Sequence, residues 1–225
     1  MLTALSLMAA GPIEAERAYA ALAQEKGQWT AFRATAAPDA LMFVPEPARA
    51  AEWLAGRQDP RVSVVWWPAR SWMSCDGRLA VNYGPWVRPG GRVGTFATVW
   101  TRTETGWRWR LDGGDAAEKP VAASDRPQVT RASCRRPGGA SAASLSGDAS
   151  PDALFTPAGK AGAAAGADWR KGRMIDSGAS PDRTLRWEVR EVEGRGPTSH
   201  VLLLWRWNGT ALRLAFVEAT DPPSR

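Results

Sequence analysis

The chain has 225 residues, of which 44% are hydrophobic, and a formal net charge of +6. That length suits one domain with appendages or two small domains, and the apolar share can bury at least one core. Residues 1–118 are nearly neutral, with 13 Lys/Arg against 12 Asp/Glu, and the excess sits in residues 119–225, with 16 against 11. The basic residues are scattered instead of gathered on one face, so a solvated basic surface is expected and no nucleic-acid partner. No stretch approaches the roughly 20 apolar residues of a spanning helix, so no membrane insertion is expected.

The first ten residues, Met1 to Ala10, are apolar and rich in Leu and Ala. They read like a short secretory signal within residues 1–12, which implies a periplasmic or secreted protein, with a cytoplasmic one as the alternative. Ala15, Ala18, Tyr19 and Leu22 follow at helical spacing, with Pro12 in the first turn and Gly27 at the stop. A second short helix carries Trp29, Phe32 and Ala36 on one face and ends before Pro38. Residues 40–44 read as a strand cut by Pro45 and Pro47, and residues 48–54 as a third helical stretch.

The period then changes from helical to alternating. Val62, Val64 and Trp66 alternate, and Pro68 marks an edge or a bulge. Asp76-Gly77 signals a two-residue hairpin, with Leu79, Val81 and Tyr83 alternating on the return strand. Residues 93–102 and 107–111 form the next strands, around a turn at Thr105-Gly106. In the last strand Trp107, Trp109 and Leu111 should face one way, and Arg108, Arg110 and Asp112 the other. Eight of the 13 Trp residues lie between Trp53 and Trp109.

From Asp115 to Ala167 the chain is dominated by Ala, Gly, Ser and Pro, and residues 119–167 read as a flexible linker. Three further strands are expected near Leu185–Val189, Val201–Trp207 and Leu212–Val217, with Asn208-Gly209 as a hairpin turn. They make residues 168–220 a small antiparallel β appendage, too small to stand alone. Cys75 and Cys134 either pair in an oxidising compartment or remain two separate thiols.

Several segments together resemble the nuclear transport factor 2-like superfamily, which includes the SnoaL-like polyketide cyclases and ketosteroid isomerases. These are Glu16-Arg17-Ala18-Tyr19-Ala20, Gln28-Trp29-Thr30-Ala31-Phe32, Met42-Phe43-Val44-Pro45, Trp66-Trp67-Pro68, Asp76-Gly77-Arg78-Leu79-Ala80-Val81, Gly84-Pro85-Trp86 and the closing Asp112-Gly113-Gly114-Asp115. The resemblance spans residues 14–115, within a domain drawn at 13–118. It implies an α+β fold: a cone of three N-terminal helices packed on a curved antiparallel sheet. It also implies a pocket between them and the option of a homodimer through the outer sheet face. Many relatives end the last strand with a His, where this chain has Gly113 and Gly114.

Such a pocket would be apolar and aromatic, walled by Trp29, Phe32, Phe43, Trp53, Trp66, Trp72, Tyr83 and Trp100, and would take an apolar small molecule. Each of these rings is equally a candidate for plain core packing. Among the acids, Glu46 sits in a stiff Pro-Glu-Pro turn at the mouth, and Asp112 closes the last strand or caps a turn with Asp115. Either could act as a general base, with Tyr83 donating to a developing oxyanion. Arg33 and Arg70 could hold an anionic group or form surface ion pairs. The single His200 has no Ser or Cys at motif spacing, and no phosphate loop or zinc signature occurs, so no cofactor and no metal are expected. The acid, Tyr and protonated-acid trio of the isomerases does not map with matching spacing. The sequence therefore favours a non-catalytic binding or interaction module. An isomerase, cyclase or dehydratase using Glu46 or Asp112 is the alternative, and an assembly protein with a filled cone the next.

Overall fold

The computed structural model describes residues 11–44, 46–122, 126–135, 145–155, 172–192 and 199–219. The signal-like segment lies outside them. The described chain is α+β, with two mixed sheets and short helices. It divides into two compact units. The first takes residues 11–71 and 80–130, and the second takes residues 72–79 and 131–219.

In the first unit, α1 (Pro12–Lys26) opens with Pro at its first turn and stops at Gly27, whose φ of 104° suits glycine. The next helix, α2 (Gln28–Thr35), starts at once. Asp59 accepts from the Thr30 backbone N–H and hydroxyl at 2.9 and 2.6 Å, satisfying donors that the helix start leaves open. Strand β1 (Ala36–Phe43) begins four residues earlier than the sequence suggested, β2 (Pro47–Arg49) is a short return, and α3 (Ala50–Leu54) follows. Then come β3 (Val65–Trp66), β4 (Arg70–Met73), β5 (Leu79–Val87), β6 (Val93–Thr103) and β7 (Gly106–Ala117).

These strands lie in the order β2-β1-β7-β6-β5-β4, with β3 beside β5 and β8 (Gln128–Arg131) outside β4. One pairing departs from the antiparallel expectation: β1 runs parallel to β7, with Leu41 opposite Leu111 and Met42 opposite Asp112. A second departure sits between β6 and β7. Trp100 pairs with Trp109 and Val99 with Leu111, which leaves Arg110 as an extra residue. Such a bulge reverses the alternation beyond it. Asp112 therefore shares a face with Trp109, not with Arg108 as strict alternation requires, and it pairs with Thr98 on that face.

The second unit holds a five-stranded sheet: β10 (Arg173–Ala179), β11 (Leu185–Val192), β12 (Ser199–Trp207), β13 (Leu212–Ala219) and β9 (Leu145–Phe155), in that order, with β9 parallel to β13. Two strands, β8 and β9, thus lie in the stretch that reads as linker, and the appendage residues hold four strands instead of three, with β9 completing their sheet. Composition pointed away from them because their backbone bonds are made to distant strands, which local propensity does not register. One face of this sheet is an apolar cluster that includes Val201, Leu203, Trp205, Leu214 and Val217. On the other, Trp72 lies against Phe216 with ring centroids 4.7 Å apart. Cys75 and Cys134 form a disulfide in this unit.

Candidate functional site

The buried residues of α1 include Pro12, Glu16, Tyr19 and Ala23. Steps of four, three and four put them on one stripe, so a carboxylate lies on the buried face of the first helix. Glu16 is fully buried. Its Oε1 accepts from Trp66 Nε1 at 2.9 Å. Its Oε2 accepts from Trp100 Nε1 at 2.6 Å and Asn82 Nδ2 at 3.1 Å. All three partners are neutral donors, so the bonds favour the ionised form while burial opposes it. Burial is the larger effect and raises the pKa to about 7.

Asp112 stands on β7 beyond the bulge. Thr98 Oγ1 donates to its Oδ2 at 2.9 Å. The residue is half-buried, yet its carboxyl sits deep enough that desolvation is the first cause lifting its pKa to about 7, with the Glu16 charge the second. Repulsion between two carboxylates is reciprocal, so their titration belongs to the pair. Both Glu16 oxygens face donors that cannot accept a proton's hydrogen bond, whereas Asp112 has one donor. Asp112 is therefore the member of the pair with an oxygen open to gain and lose a proton.

Tyr19, one turn along from Glu16, is fully buried, and its hydroxyl has no hydrogen-bond partner. Burial raises its pKa well above the ordinary value, and the charges of Asp112 and Glu16 raise it further. It stays protonated as a donor without an acceptor, which is costly unless something fills that role. Asn82 Oδ1 is likewise buried without a partner. Tyr19 is ringed by Phe32, Trp66 and Trp100, at centroid distances of 5.0, 4.9 and 5.7 Å. Trp109 donates its indole N–H to Phe32 O and Thr35 Oγ1, fastening α2 to the same strand that carries Asp112.

Of the aromatic residues named from sequence, Phe32, Trp66 and Trp100 come together here. Trp29 packs on Phe32 and Trp53, and the Arg57 guanidinium lies over the Trp53 ring at 3.6 Å. Phe43 is half-buried at the end of β1. Trp72 departs from the group, because it belongs to the second unit and meets Phe216. Glu46 is exposed, and Tyr83 is buried on β5 beside Asn82, at the position that alternates to the opposite face. Arg33 is engaged with the carbonyls of Leu54 and Arg57, and Arg70 with Gln128. His200 is buried on β12, 3.7 Å from Glu191. Among the described residues no group of His, Cys, Asp and Glu could hold a metal ion, and no helix is long and apolar enough to cross a membrane.

Glu16, Tyr19 and Asn82 were not singled out from sequence as site residues. The available signal was a Glu three residues before a Tyr on the apolar stripe of a helix.

No protein-family model matches the chain, and no curated protein matches it. Among solved structures, a candidate aromatic ring hydroxylase from Novosphingobium aromaticivorans is 16% identical, covers 46% of this chain and 84% of its own, and gives a TM-score of 0.33. At that level the likeness carries no argument about fold or chemistry.

Proposed function

We propose that the first unit is a cone-shaped domain of the nuclear transport factor 2-like type that binds a small apolar carbonyl compound and moves a proton on it. One observation carries this reading: two deep carboxyls with pKa values near 7 lie beside a buried tyrosine hydroxyl that has no partner. The order helix, helix, strand, helix and then sheet supports the cone. In this scheme Asp112 is the general base. Its carboxylate takes a proton from the carbon next to the carbonyl, and Tyr19 donates its O–H to the oxygen as the enolate forms. Asp112 then returns the proton to a different carbon, giving an isomer, or gives it to a departing β-hydroxyl, which leaves as water and yields a dehydration product. Glu16 keeps its charge on three donors and holds Asp112 near neutrality, where a base works best at physiological pH. The disulfide supports an exported protein, since such bonds persist in oxidising compartments.

The test is exchange of the α-protons of 2-tetralone in D2O, followed by proton NMR at pH 7.5. The wild-type protein should accelerate exchange, and Asp112→Asn should remove about 100-fold or more of that acceleration. Tyr19→Phe should cut it by about 10-fold or more through the lost donor. No acceleration over buffer, with 2-tetralone or a set of cyclic ketones and enones, would sink the reading. A binding module without turnover is the second reading. It is favoured by the three rings already packed on Tyr19, and it predicts 2-tetralone binding without exchange.

A further inference from the structure

The two sheets share more than strand type. Read from the parallel pair outwards, the first sheet runs β1-β7-β6-β5-β4 and the second runs β9-β13-β12-β11-β10. Each of these five strands has a counterpart in the other sheet, in the same chain order, while β2, β3, β8 and the helices have none.

The details agree residue by residue. In the parallel pair, Ala36 faces Trp109 and Leu41 faces Leu111, so five residues on β1 span two on β7. In the second sheet Ala149 faces Leu214 and Leu154 faces Phe216, again five against two. The strands involved read Ala36-Ala37-Pro38-Asp39-Ala40-Leu41-Met42 and Ala149-Ser150-Pro151-Asp152-Ala153-Leu154-Phe155, identical at five of seven positions. The bulge also recurs. Val99 and Trp100 pair with Leu111 and Trp109 around Arg110, and Leu204 and Trp205 pair with Phe216 and Leu214 around Ala215.

The hairpin turns agree as closely. Ser74 and Ser180 each donate their backbone N–H to a leucine carbonyl five residues on, at 2.9 Å in both cases. Each Ser hydroxyl donates to an aspartate two residues on at 2.6 Å. The following residues, Gly77 and Arg183, have φ of 69° and 59°. Within the second unit these turns bond each other. The Asp76 N–H donates to Asp182 Oδ2 at 2.7 Å, and the Asp182 N–H to Asp76 Oδ2 at 3.2 Å.

The correspondence assigns counterparts to the site. Thr98 and Asp112, paired across the first sheet, correspond to Leu203 and Val217, paired across the second. Trp100 corresponds to Trp205, and Asn82 to Glu188. The acid and its hydroxyl donor are thus replaced by hydrocarbon. Glu188, which faces the same side as Leu203, is tied to Arg186 and Arg190 at 2.6 and 2.7 Å.

We propose that the chain is a tandem duplication of one five-stranded motif, and that the proton-transfer set survives in the first copy alone, so that each chain offers one such site. The one-site statement rests on the functional reading above. The duplication rests on backbone register and sequence, and stands or falls separately.

Backbone NMR of the full chain, titrated with 2-tetralone, tests both parts on one sample. Cross-strand NOEs should place Leu41 beside Leu111 and Leu154 beside Phe216, with unpaired residues at Arg110 and Ala215. A different register or strand order in the second sheet overturns the duplication. Added 2-tetralone should shift the amides of Thr98, Trp100 and Asp112, saturating at one molecule per chain, and leave Leu203, Trp205 and Val217 in place. Shifts at both sets, saturating at two molecules per chain, overturn the single site. Shifts at neither overturn the functional reading and the one-site statement with it, while the NOE pattern still decides the duplication.

Discussion

Both units bury a carboxylate against a tryptophan-bearing sheet, and they satisfy it in different ways. In the first, Glu16 meets two indoles and an amide, all uncharged, and a second carboxyl, Asp112, stands near enough to repel it. In the second, Glu188 is matched by two guanidinium groups. Neutral donors hold a carboxylate in place without cancelling its charge, so the proton remains negotiable. Guanidinium partners cancel the charge and leave a structural tie. The contrast separates a carboxylate whose proton can come and go from one fixed as a structural tie.

That contrast can be broken first by removing its tryptophans. Trp100→Ala should cost about 4 kcal/mol, from lost packing and a lost donor to Glu16. Trp205→Ala should cost nearly as much by packing. Chemical denaturation from pH 4 to pH 8 distinguishes them, because the loss should vary with pH for Trp100 and stay flat for Trp205. Next, Arg190→Met should cost about 3 kcal/mol by leaving the Glu188 charge half-matched. A loss under about 0.5 kcal/mol, the size of an ordinary surface substitution, would contradict the charge-cancelling role.

Asp112→Asn works in the other direction. The folded pKa values of Asp112 and Glu16 lie above their ordinary ones, so the folded protein binds more protons than the unfolded chain between about pH 4 and 7. Their contribution to stability is fully present below that window and is lost as pH rises through about 7. Removing the Asp112 charge should therefore stabilise the protein by about 2 kcal/mol at pH 8 and by little at pH 4. A variant equally stable or weaker at pH 8 would show that Asp112 is not held near neutrality. The smallest effect is at the turns. Arg183 holds a left-handed φ where its counterpart is glycine, so Arg183→Gly should raise stability by about 0.5 kcal/mol, and Gly77→Ala should lower it by about 1 kcal/mol. Thermal unfolding measures both.

Much of the first unit was legible because its signals are local. Pro12 and Gly27 frame α1, and alternation marks β6 and the start of β7. The rings of Phe32, Trp66 and Trp100 were legible as an aromatic group. Glu16 was not, because a glutamate on an alanine-rich helix reads as surface, and its partners lie 50, 66 and 84 residues away. Asp112 was named for its chemistry, but its facing depends on the bulge at Arg110, which a period-two pattern does not contain. The repeat was present in the letters Pro-Asp-Ala-Leu at 38–41 and 151–154. The second occurrence sits among Ala, Gly and Ser, where composition argued for a linker.

The disulfide has a reach beyond its own surroundings. Cys75 and Cys134 are 59 residues apart, and the covalent ring they close threads through Asn82, Thr98, Trp100 and Asp112. A loop of that length withdraws about 4 kcal/mol of freedom from the unfolded chain in the chain-entropy account. A reductant would therefore lower the stability of the strands that carry Asn82, Thr98, Trp100 and Asp112 without touching any of them.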